Sequence, residues 1–573
     1  MDNKKWIIKA KANSEKVAKL SEVLGIDKNL SNLLVQKGIE NYDDARKFFR
    51  PQLNDLHNPF LMKDMDNAVN RLQKAIDNNE NILIFSDYDV DGTTGVALLY
   101  KFLTKFYKKV FYYVPDRYVE GYGVSFKGID FASENSCSLV ITVDCGIKAV
   151  KQINYANEKN IDVIVCDHHN QGEILPKAFA ILDPKRNDCN YPYKELSGCG
   201  VAFKFLQAFC NTNNHDINNI FSLLDLVVVS IGSDIVPITG ENRILAYFGL
   251  IQLNTNPCLG LKSIINLSGI ADKEIQINDI VFKIGPRINA AGRLTTGKTA
   301  VELLISENET VAEEIGNEIN KLNAERKDLD QKVTEEALSM IDNSEILKNA
   351  YTTVVYSENW SKGIVGIVAS RLTETYYRPT IVFTKSNNLI TGSARSVYGY
   401  NLYNAIEHCS DLLENFGGHT YAAGLTLKDG KLNEFTQRFE NYVKSTITEL
   451  QLTPTIDVDM ILEIKDITPK FYRILKQFAP FGPENMTPVF VSKNVFDNGQ
   501  GKIVGQSQEH IKLKIVQQPN DNRCIDAIGF GFAQYYEHIK KYKPFDVCYQ
   551  IYENNFMNQT CLQMLIKDIS IDG

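Results

Sequence analysis

An apolar run that ends in alternating aspartates constrains the fold of this chain more than any other feature. Residues 82–85 predict a buried strand, and Asp87, Asp89 and Asp91 follow it. Residues two apart in an extended segment point the same way, so the three carboxylates converge. From residue 96 the apolar spacing is helical. The acids therefore lie where a strand meets a helix, the edge at which open α/β sheets bind ligands.

Three converging carboxylates predict a metal site, because they repel one another unless a cation neutralises them. Hard divalent ions prefer such oxygen ligands. An aspartate-rich turn that binds nothing, or an isolated calcium loop, is the alternative interpretation. The EF-hand pattern fails, because no glutamate occupies its twelfth position and a strand precedes the loop.

The composition is that of an ordinary globular protein. The chain has 573 residues, of which 44% are hydrophobic and 23% charged, and a net charge of −8. A nucleic-acid site must therefore be a local basic patch. The 11 cysteines form no C-x-x-C pair, and many lie in apolar runs, which is typical of buried reduced thiols. No apolar leader or membrane-spanning run occurs, so we expect a cytoplasmic protein.

A strand–helix rhythm continues after the aspartates and predicts a parallel, doubly wound α/β sheet. Two further apolar strands end at Asp144 and at the pair His168 and His169. Parallel strands deliver their carboxyl ends to one edge, so these side chains are expected to join the aspartates. Asp234 follows another apolar segment and is, on composition alone, equally a turn acid or a ligand.

The second half of the chain predicts a bridging helix and a second α/β domain. Residues 310–342 form a long charged amphipathic segment, which indicates one long helix or a helix pair. The later segment 392–396 offers hydroxyls, backbone N–H groups and a guanidinium to a phosphate backbone. Arg287 lies among small residues that suit phosphate binding, although a surface salt bridge is the usual role of a single arginine.

The two ends of the chain have different patterns. Residues 5–74 predict short helices, which we interpret as a cap packed on the first α/β domain. Beyond about residue 449, five or six short strands with interleaved aromatics and lysines predict a small barrel of the OB type, a common single-strand binder. An ordinary β-sandwich is the alternative.

An ordered set of motifs resembles the DHH phosphoesterases, and within them the bacterial single-strand-specific 5′→3′ DNA exonucleases. The motifs are Asp87-Tyr-Asp-Val-Asp-Gly92, Pro115-Asp-Arg-Tyr-Val-Glu-Gly-Tyr-Gly123, Val143-Asp-Cys-Gly146, Asp167-His-His169, Ser197-Gly-Cys-Gly-Val201, Asp234-Ile-Val-Pro237 with Gly240-Glu-Asn-Arg243, Pro286-Arg-Ile-Asn-Ala-Ala-Gly-Arg293, Gly392-Ser-Ala-Arg-Ser396 and Gly417-Gly-His419. They stand in the family's order along nearly the whole chain.

The resemblance implies roles for individual residues. Two Mn²⁺ or Mg²⁺ ions would be held by side chains from several strand ends, namely Asp89, Asp91, Asp144, His168 and Asp234. His169 would lie beside the scissile phosphate, and Asp87 would support the ligands. The DNA and its 5′ phosphate would be gripped by Arg117, Arg287, Ser393 and Arg395, with His419 near the cleft.

The resemblance also implies an architecture and an activity. The parts would be a helical N-terminal cap (1–75), a DHH catalytic domain (76–308), a connecting helix (309–345), a DHH-associated domain (346–448) and an OB-like domain (449–573). The implied enzyme is a monomer that hydrolyses single-stranded DNA to 5′-mononucleotides in DNA repair and recombination. Its implied partners are a RecQ-type helicase and a single-strand-binding protein.

Two positions depart from the family pattern. Ser233 stands before Asp234 where alanine is more usual, and Asp116 stands where asparagine is common, which adds a negative charge near the expected phosphate site. A DHH hydrolase of short oligonucleotides or cyclic dinucleotides is one alternative, although such enzymes are much shorter. A metal-free DHH-fold scaffold is another, although no acidic ligand is missing here.

Overall fold

The computed structural model describes residues 4–556 and 559–571. The chain divides into two units. One unit comprises Met1–Leu56, Pro237–Tyr247 and Thr455–Gly573, and the other comprises His57–Val236 and Phe248–Pro454. Within the described ranges, no helix is long and apolar enough to cross a membrane.

The N-terminal segment folds with the C-terminal barrel. It forms β1 (Lys5–Ile8), α1 (Ser14–Leu24), α2 (Lys28–Gln36) and α3 (Tyr42–Phe49). Strand β1 pairs in parallel with a strand at Thr455–Val458, and Leu30 and Leu34 of α2 share a core with barrel residues. The prediction of helix is wrong for Lys5–Ile8, and the segment shares its unit and its core with the barrel, whereas we expected it to pack on the first α/β domain. The partner strand is so distant in sequence that no local pattern reveals it.

The first sheet positions the aspartates. Its elements are α4 (Met65–Asp77), β2 (Asn81–Ser86), α5 (Val90–Leu103), β3 (Val110–Tyr113), α6 (Phe126–Glu134), β4 (Cys137–Val143), α7 (Val150–Glu158), β5 (Asp162–Cys166) and β6 (Ala180–Leu182). The strand order is β3-β2-β4-β5-β6, and every pair is parallel. This confirms the predicted doubly wound sheet. The order reverses at β2, so a crevice forms outside the carboxyl ends of β2 and β4.

A helical region follows this sheet. Its helices are α8 (Gly198–Asn213), α9 (Asn218–Phe221), α10 (Leu224–Ser233), α11 (Gly240–Thr255), α12 (Leu259–Leu267), α13 (Ile277–Asp279), α14 (Gly285–Leu294) and α15 (Gly297–Ile305), with a π-helical turn at Ile280–Ile284. Asp234 therefore follows a helix, and its predicted place at a strand end is wrong. Helix α10 is buried on all sides, and a short continuous apolar run does not distinguish a buried helix from a buried strand.

One helix, α16 (Glu309–Asp342), spans the predicted connecting segment without a break. The second sheet follows it, with α17 (Glu345–Lys348), β7 (Thr353–Tyr356), α18 (Val365–Tyr376), β8 (Thr380–Ser386), β9 (Leu389–Arg395), α19 (Leu402–Glu407), β10 (Leu413–Gly418), β11 (Ala422–Leu427), α20 (Leu432–Thr446) and α21 (Glu449–Leu452). The order is β10-β11-β9-β8-β7, in which only β7 and β8 pair in parallel. The predicted second α/β domain is thus a mixed sheet.

The C-terminal strands close into a barrel. The elements are β12 (Thr455–Val458), β13 (Met460–Ile461), α22 (Pro469–Lys476), β14 (Phe490–Asp497), β15 (Lys502–Val504), β16 (His510–Val516), β17 (Ile525–Gly529), α23 (Tyr536–Ile539), β18 (Phe545–Phe556) and β19 (Gln559–Ser570). Strands β13-β14-β18-β19-β17-β16-β15 are neighbours, and an extra β14–β16 pairing closes the ring. Closure distinguishes the predicted barrel from the sandwich alternative.

The shared core makes a stability prediction. In a Trp360→Phe background, Trp6 is the remaining tryptophan and reports on the unit that contains β1 and the barrel. Leu34→Ala is expected to lower the free energy of unfolding of that unit by about 2–5 kcal/mol, because it opens a cavity at a fully buried site. Denaturant titration followed by Trp6 fluorescence measures it. Val23→Ala, at an exposed position of α1, should change it by less than about 0.5 kcal/mol.

Candidate metal centre

Local backbone structure aims the first aspartates. Strand β2 ends at Ser86, and Asp89 is the N-cap of α5, where its carboxylate accepts a hydrogen bond from the Gly92 N–H at 3.1 Å. Asp91 lies in the first turn and accepts from the N–H groups of Gly198 (2.7 Å) and Cys199 (2.8 Å) at the start of α8. The Ser230 hydroxyl also donates to it at 2.7 Å. These three donors fix a buried carboxylate in one orientation.

Asp144 enters the crevice from the end of β4. Its backbone has a φ of +59°, in the left-handed region, and its N–H donates to the Cys166 carbonyl. Gly198 lies directly against it, since a Cβ at Gly198 would stand 2.6 Å from Asp144 Cβ. The absence of a side chain at Gly198 therefore lets α8, whose first N–H groups bind Asp91, approach Asp144 closely.

His168 is surrounded by carboxylates. Its Nε2 lies 3.1 Å from Asp144 Oδ1, 3.6 Å from Asp234 Oδ2 and 3.8 Å from Asp91 Oδ2. Among the residues that the structure describes, neither ring nitrogen has a hydrogen-bond partner, although both are buried. Burial also lowers the pKa of His168, which favours a neutral imidazole able to bind a metal.

Two groups of ligand atoms are compact enough to hold an ion. Asp144, His168 and His169 form one group, and Asp91, His168 and Asp234 form the other, with the atoms of each within 4.8 Å of one another. Asp89 belongs to neither group, but its charge raises the pKa of both Asp144 and Asp234, which places it beside them. The structure thus brings together the five predicted ligands, and their metal-binding role stays a prediction.

The electrostatics of the crevice fit a divalent cation. Burial, and then the charge of Asp91, hold the pKa of Asp89, Asp144 and Asp234 above the usual range. Burial and the charge of Asp89 do the same to the pKa of Asp87, whose Oδ2 has no partner within the described residues. Carboxylates that disfavour their own ionisation, beside an unpartnered imidazole, are the donor set that Mn²⁺ or Mg²⁺ would satisfy.

His169 has a different environment from its neighbour. Its Nδ1 donates to Asp167 Oδ1 at 2.7 Å, and its Nε2 lies 3.1 Å from the Tyr122 hydroxyl. Burial would lower the pKa of His169, but the hydrogen bond and charge of Asp167 outweigh it and raise the pKa to about 9. Burial would likewise raise the pKa of Asp167, but His169 outweighs it and lowers that pKa to about 2. With no metal ion bound, the contact with Asp167 therefore favours the protonated form of His169.

Asp167 and Tyr122 are positioning residues that the sequence analysis missed. Asp167 accepts hydrogen bonds from the N–H groups of Ile147, His168 and His169 as well as from the His169 ring. Both residues stand within the motifs that carried the family resemblance. Their positions in those motifs could have identified them as functional residues from the sequence.

A cluster of arginines forms a second feature of this unit. Burial, and then the charges of Arg117, Arg326 and Arg395, lower the pKa of Arg293 to about 10. Arg395 Nη1 donates a hydrogen bond to Ser393 Oγ at 3.1 Å, and Arg395 Nε donates one to Ser370 Oγ of α18 at 3.2 Å. Arg326 Nε is buried without a partner among the described residues. Cations held this close create a strong local attraction for an anion such as phosphate.

Arg287 and His419, two further residues expected to lie near the DNA, have different surroundings in the structure. Arg287 donates to Asn320 Oδ1 and to the Lys283 carbonyl, which holds it on α16. Burial, and then the charge of Arg326, lower the pKa of Arg287, so Arg287 lies near the cluster while its side chain is engaged with its own neighbours. Burial, and then the charge of His169, lower the pKa of His419, which places His419 on the side of the metal centre.

Comparisons with known proteins place the chain in a family. Models of three domains match it: the DHH family N-terminal domain (81–231), the DHHA1 domain (348–445) and the RecJ OB domain (458–568). The single-stranded-DNA-specific exonuclease RecJ of Bacillus subtilis is 36% identical over 569 residues, which is 99% of this chain and 71% of that protein. The chain belongs to the RecJ family. The Escherichia coli RecJ is 31% identical over 89% of this chain and 90% of its own length.

Solved RecJ structures agree with this assignment. RecJ from Thermus thermophilus in complex with Mn²⁺ superposes with a TM-score of 0.84 over 99% of this chain and 80% of that one, at 22% identity, and so shows the fold. An exonuclease RecJ bound to manganese, 29% identical, superposes with a TM-score of 0.60 over 70% of this chain and 98% of that one. The predicted DHH-type sheet, DHH-associated domain and OB-like barrel are those of the RecJ fold.

The contact between Gly198 and Asp144 makes a prediction. Gly198→Ala is expected to lower the free energy of unfolding by about 1–3 kcal/mol, because the added methyl overlaps Asp144 Cβ and Cα. Thermal unfolding followed by circular dichroism measures it. Gly172→Ala is the control, since its Cβ would meet atoms only at 3.8 Å or beyond. Equal stability of the two variants would contradict the close approach.

Proposed function

We propose that this chain degrades single-stranded DNA from its 5′ end and releases 5′-mononucleotides, using two divalent ions. The ions would be held by Asp89, Asp91, Asp144, His168 and Asp234. The observation that carries the proposal is the buried carboxylate cluster around an imidazole that has no hydrogen-bond partner within the described residues. Membership of a family of single-stranded-DNA-specific exonucleases supports the substrate.

The mixed donor set supports Mn²⁺ as a cofactor beside Mg²⁺. Imidazole with carboxylates suits Mn²⁺ better than an all-oxygen site would. Relatives of known structure were determined with Mn²⁺ and with Mg²⁺. When bound, such ions polarise the phosphate and lower the pKa of water to supply a nucleophile.

The side chains around the ions have separate tasks. Asp91 is fixed by its three hydrogen-bond donors, so ion binding requires little rearrangement of this ligand. His169, held as a cation between Asp167 and Tyr122, offers positive charge to a scissile phosphate. Asp87 is buried behind Asp89 and supports the site by its charge.

The arginine cluster supports cleavage from the 5′ end. A chain of rings joins it to the metal centre: the Arg117 guanidinium lies 4.1 Å from the Tyr88 ring centre, Tyr88 lies 6.4 Å from the Tyr122 ring, and Tyr122 lies 6.0 Å from the His169 ring. A terminal phosphate bound by Arg293 and Arg395 would thus lie in the same unit as the scissile bond, with aromatic rings between the two sites. Such an anchor would place the first nucleotide at the metal centre.

The proposal includes the supply of the substrate. A RecQ-type helicase and a single-strand-binding protein would provide and present single strands to a monomeric enzyme. The family resemblance supports these partners, and the OB domain supports binding of single-stranded DNA.

Digestion of end-labelled single strands with Mn²⁺ tests the activity. A 5′-labelled strand should release labelled mononucleotide at once, whereas a 3′-labelled strand should shorten progressively. Asp144→Ala should abolish cleavage and leave single-strand binding measurable. Exposed Asp272→Asn is the matched control and should retain the wild-type rate. Activity confined to dinucleotides would favour the short-substrate enzyme, and binding without any cleavage by the wild type would favour the scaffold.

The arginine cluster predicts a preference for a 5′ phosphate. Arg395→Ala should reduce cleavage of 5′-phosphorylated strands by about ten- to hundredfold, because about 1.5–3 kcal/mol of charged hydrogen bonding is lost. Its effect on strands with a 5′ hydroxyl should be much smaller. Arg287→Ala should retain the preference, since Arg287 is engaged with Asn320 and Lys283. Initial rates on the two substrates measure the ratio.

The raised carboxyl pKa values predict how Mn²⁺ stabilises the protein. Without metal, the folded state binds more protons at Asp144 and Asp234 than the unfolded state does, so its stability falls as the pH rises above the ordinary carboxyl pKa of about 4. Metal must displace these protons, and the rise in Tm caused by Mn²⁺ should therefore grow over the same range. Thermal unfolding with and without Mn²⁺ measures both trends. Asp144→Asn should raise the metal-free Tm at pH 8 and remove most of the Mn²⁺ effect.

A further inference from the structure

Two cysteines of the OB domain differ from all the others. All 11 cysteines lie in the described part of the chain, and only Cys524 and Cys561 are exposed. The prediction of buried reduced thiols therefore does not describe this pair. The two residues are far apart in sequence, yet both line one cavity of about 490 Å³ on the barrel surface.

The register of two adjacent strands places the two cysteines near each other. Strands β17 and β19 are parallel, with Asp526 opposite Gln563. The paired residues begin there; Cys524 immediately precedes β17, and continuing the same register back by two residues would set it opposite Cys561. Register partners in parallel strands point to the same side, and the intervening Ile525 faces the core. Neighbouring strands lie about 4.8 Å apart, which is within the Cα separation of about 4.4–6.8 Å that a disulfide requires.

The cavity beside the thiols is basic. Arg473, Lys514 and Arg523 line it. The Arg523 guanidinium is fixed there by the backbone carbonyls of residues 465 and 467, at 2.7 and 2.5 Å. Of the two acidic side chains in the lining, Glu553 is paired with a lysine at 3.3 Å. The other, Asp526, stands opposite Lys514 in the register of β16 and β17. Three basic and two acidic side chains leave the lining with a net charge of +1, which favours a small anion.

The surroundings of the two cysteines do not supply the ligands of a metal site. A structural zinc site needs four ligands. Within the described residues, no histidine, aspartate, glutamate or further cysteine brings a ligand atom close enough to form a group of three with these thiols.

We propose that Cys524 and Cys561 form a dithiol–disulfide site that reacts with a small anionic disulfide, such as oxidised glutathione, bound in the basic cavity. The Cys524 thiolate attacks one sulfur of the small disulfide, forms a mixed disulfide and releases one small thiolate. The Cys561 thiolate then attacks the Cys524 sulfur, forms the internal S–S bond and releases the second. The two cysteines lose two electrons, the small disulfide gains them, and the two released thiolates take up the two protons.

Peptide mapping of the full chain tests the site. The protein is incubated with oxidised glutathione, its remaining thiols are alkylated, and the digest is analysed by mass spectrometry. The peptides that contain Cys524 and Cys561 should be found linked to each other. Cys561→Ser should instead carry glutathione on Cys524, and Cys258→Ser should form the link as the wild type does. Separate adducts on both thiols of the wild type, or no reaction at either, would overturn the proposal.

A charge variant tests the role of the cavity. Lys514→Gln should slow link formation by oxidised glutathione several-fold and leave the rate with neutral hydroxyethyl disulfide unchanged, because only the anionic reagent is attracted by the basic wall. Equal rates for the variant and the wild type with both reagents would overturn the assignment of the cavity as the binding site.

Discussion

Repulsion among buried carboxylates is the constraint around which the first α/β domain is built. Asp89 and Asp91 at the start of α5, together with Asp144 and Asp234, come from three parts of the chain, and the charge of Asp91 adds to burial in raising the pKa of the other three carboxyls. Separate secondary structures hold them: a helix cap, a first helical turn, a left-handed strand end and the end of a buried helix. The packing of the domain opposes this repulsion until a cation reduces it, which links folding to metal binding.

A second constraint of opposite sign lies in the same unit. The arginines around Arg293 repel one another as the carboxylates do, and a phosphate is the complementary ligand. Under the proposed function, DNA would supply a phosphate to each region, one held by the arginines and one held by the metal ions. A single strand that satisfies both at once is thereby held in one register.

The sequence predicted what depends on short-range pattern. Alternation placed Asp87, Asp89 and Asp91 at a strand-to-helix junction, and strand ends predicted Asp144, His168 and His169 beside them. Asp234 was found, but its element was misassigned, because an apolar run carries no periodicity when it is buried on all sides. The sequence pattern did not single out Arg293 and Arg326, because tertiary packing brings these two guanidinium groups near each other. Pairing of β1 with β12 involves a partner that no local window contains.

That pairing has a consequence for synthesis of the chain. The ends of the protein meet across about 450 residues, as in the contact between Lys9 and Asp459. At a ribosomal rate of about 5–20 residues per second, the first strand waits tens of seconds for its partner to be made. Meanwhile the metal-binding domain, whose residues all lie between, emerges complete. The residues of the candidate metal centre are therefore made before those of the barrel, and the apolar face of α2 has no barrel partner until the barrel residues have been made.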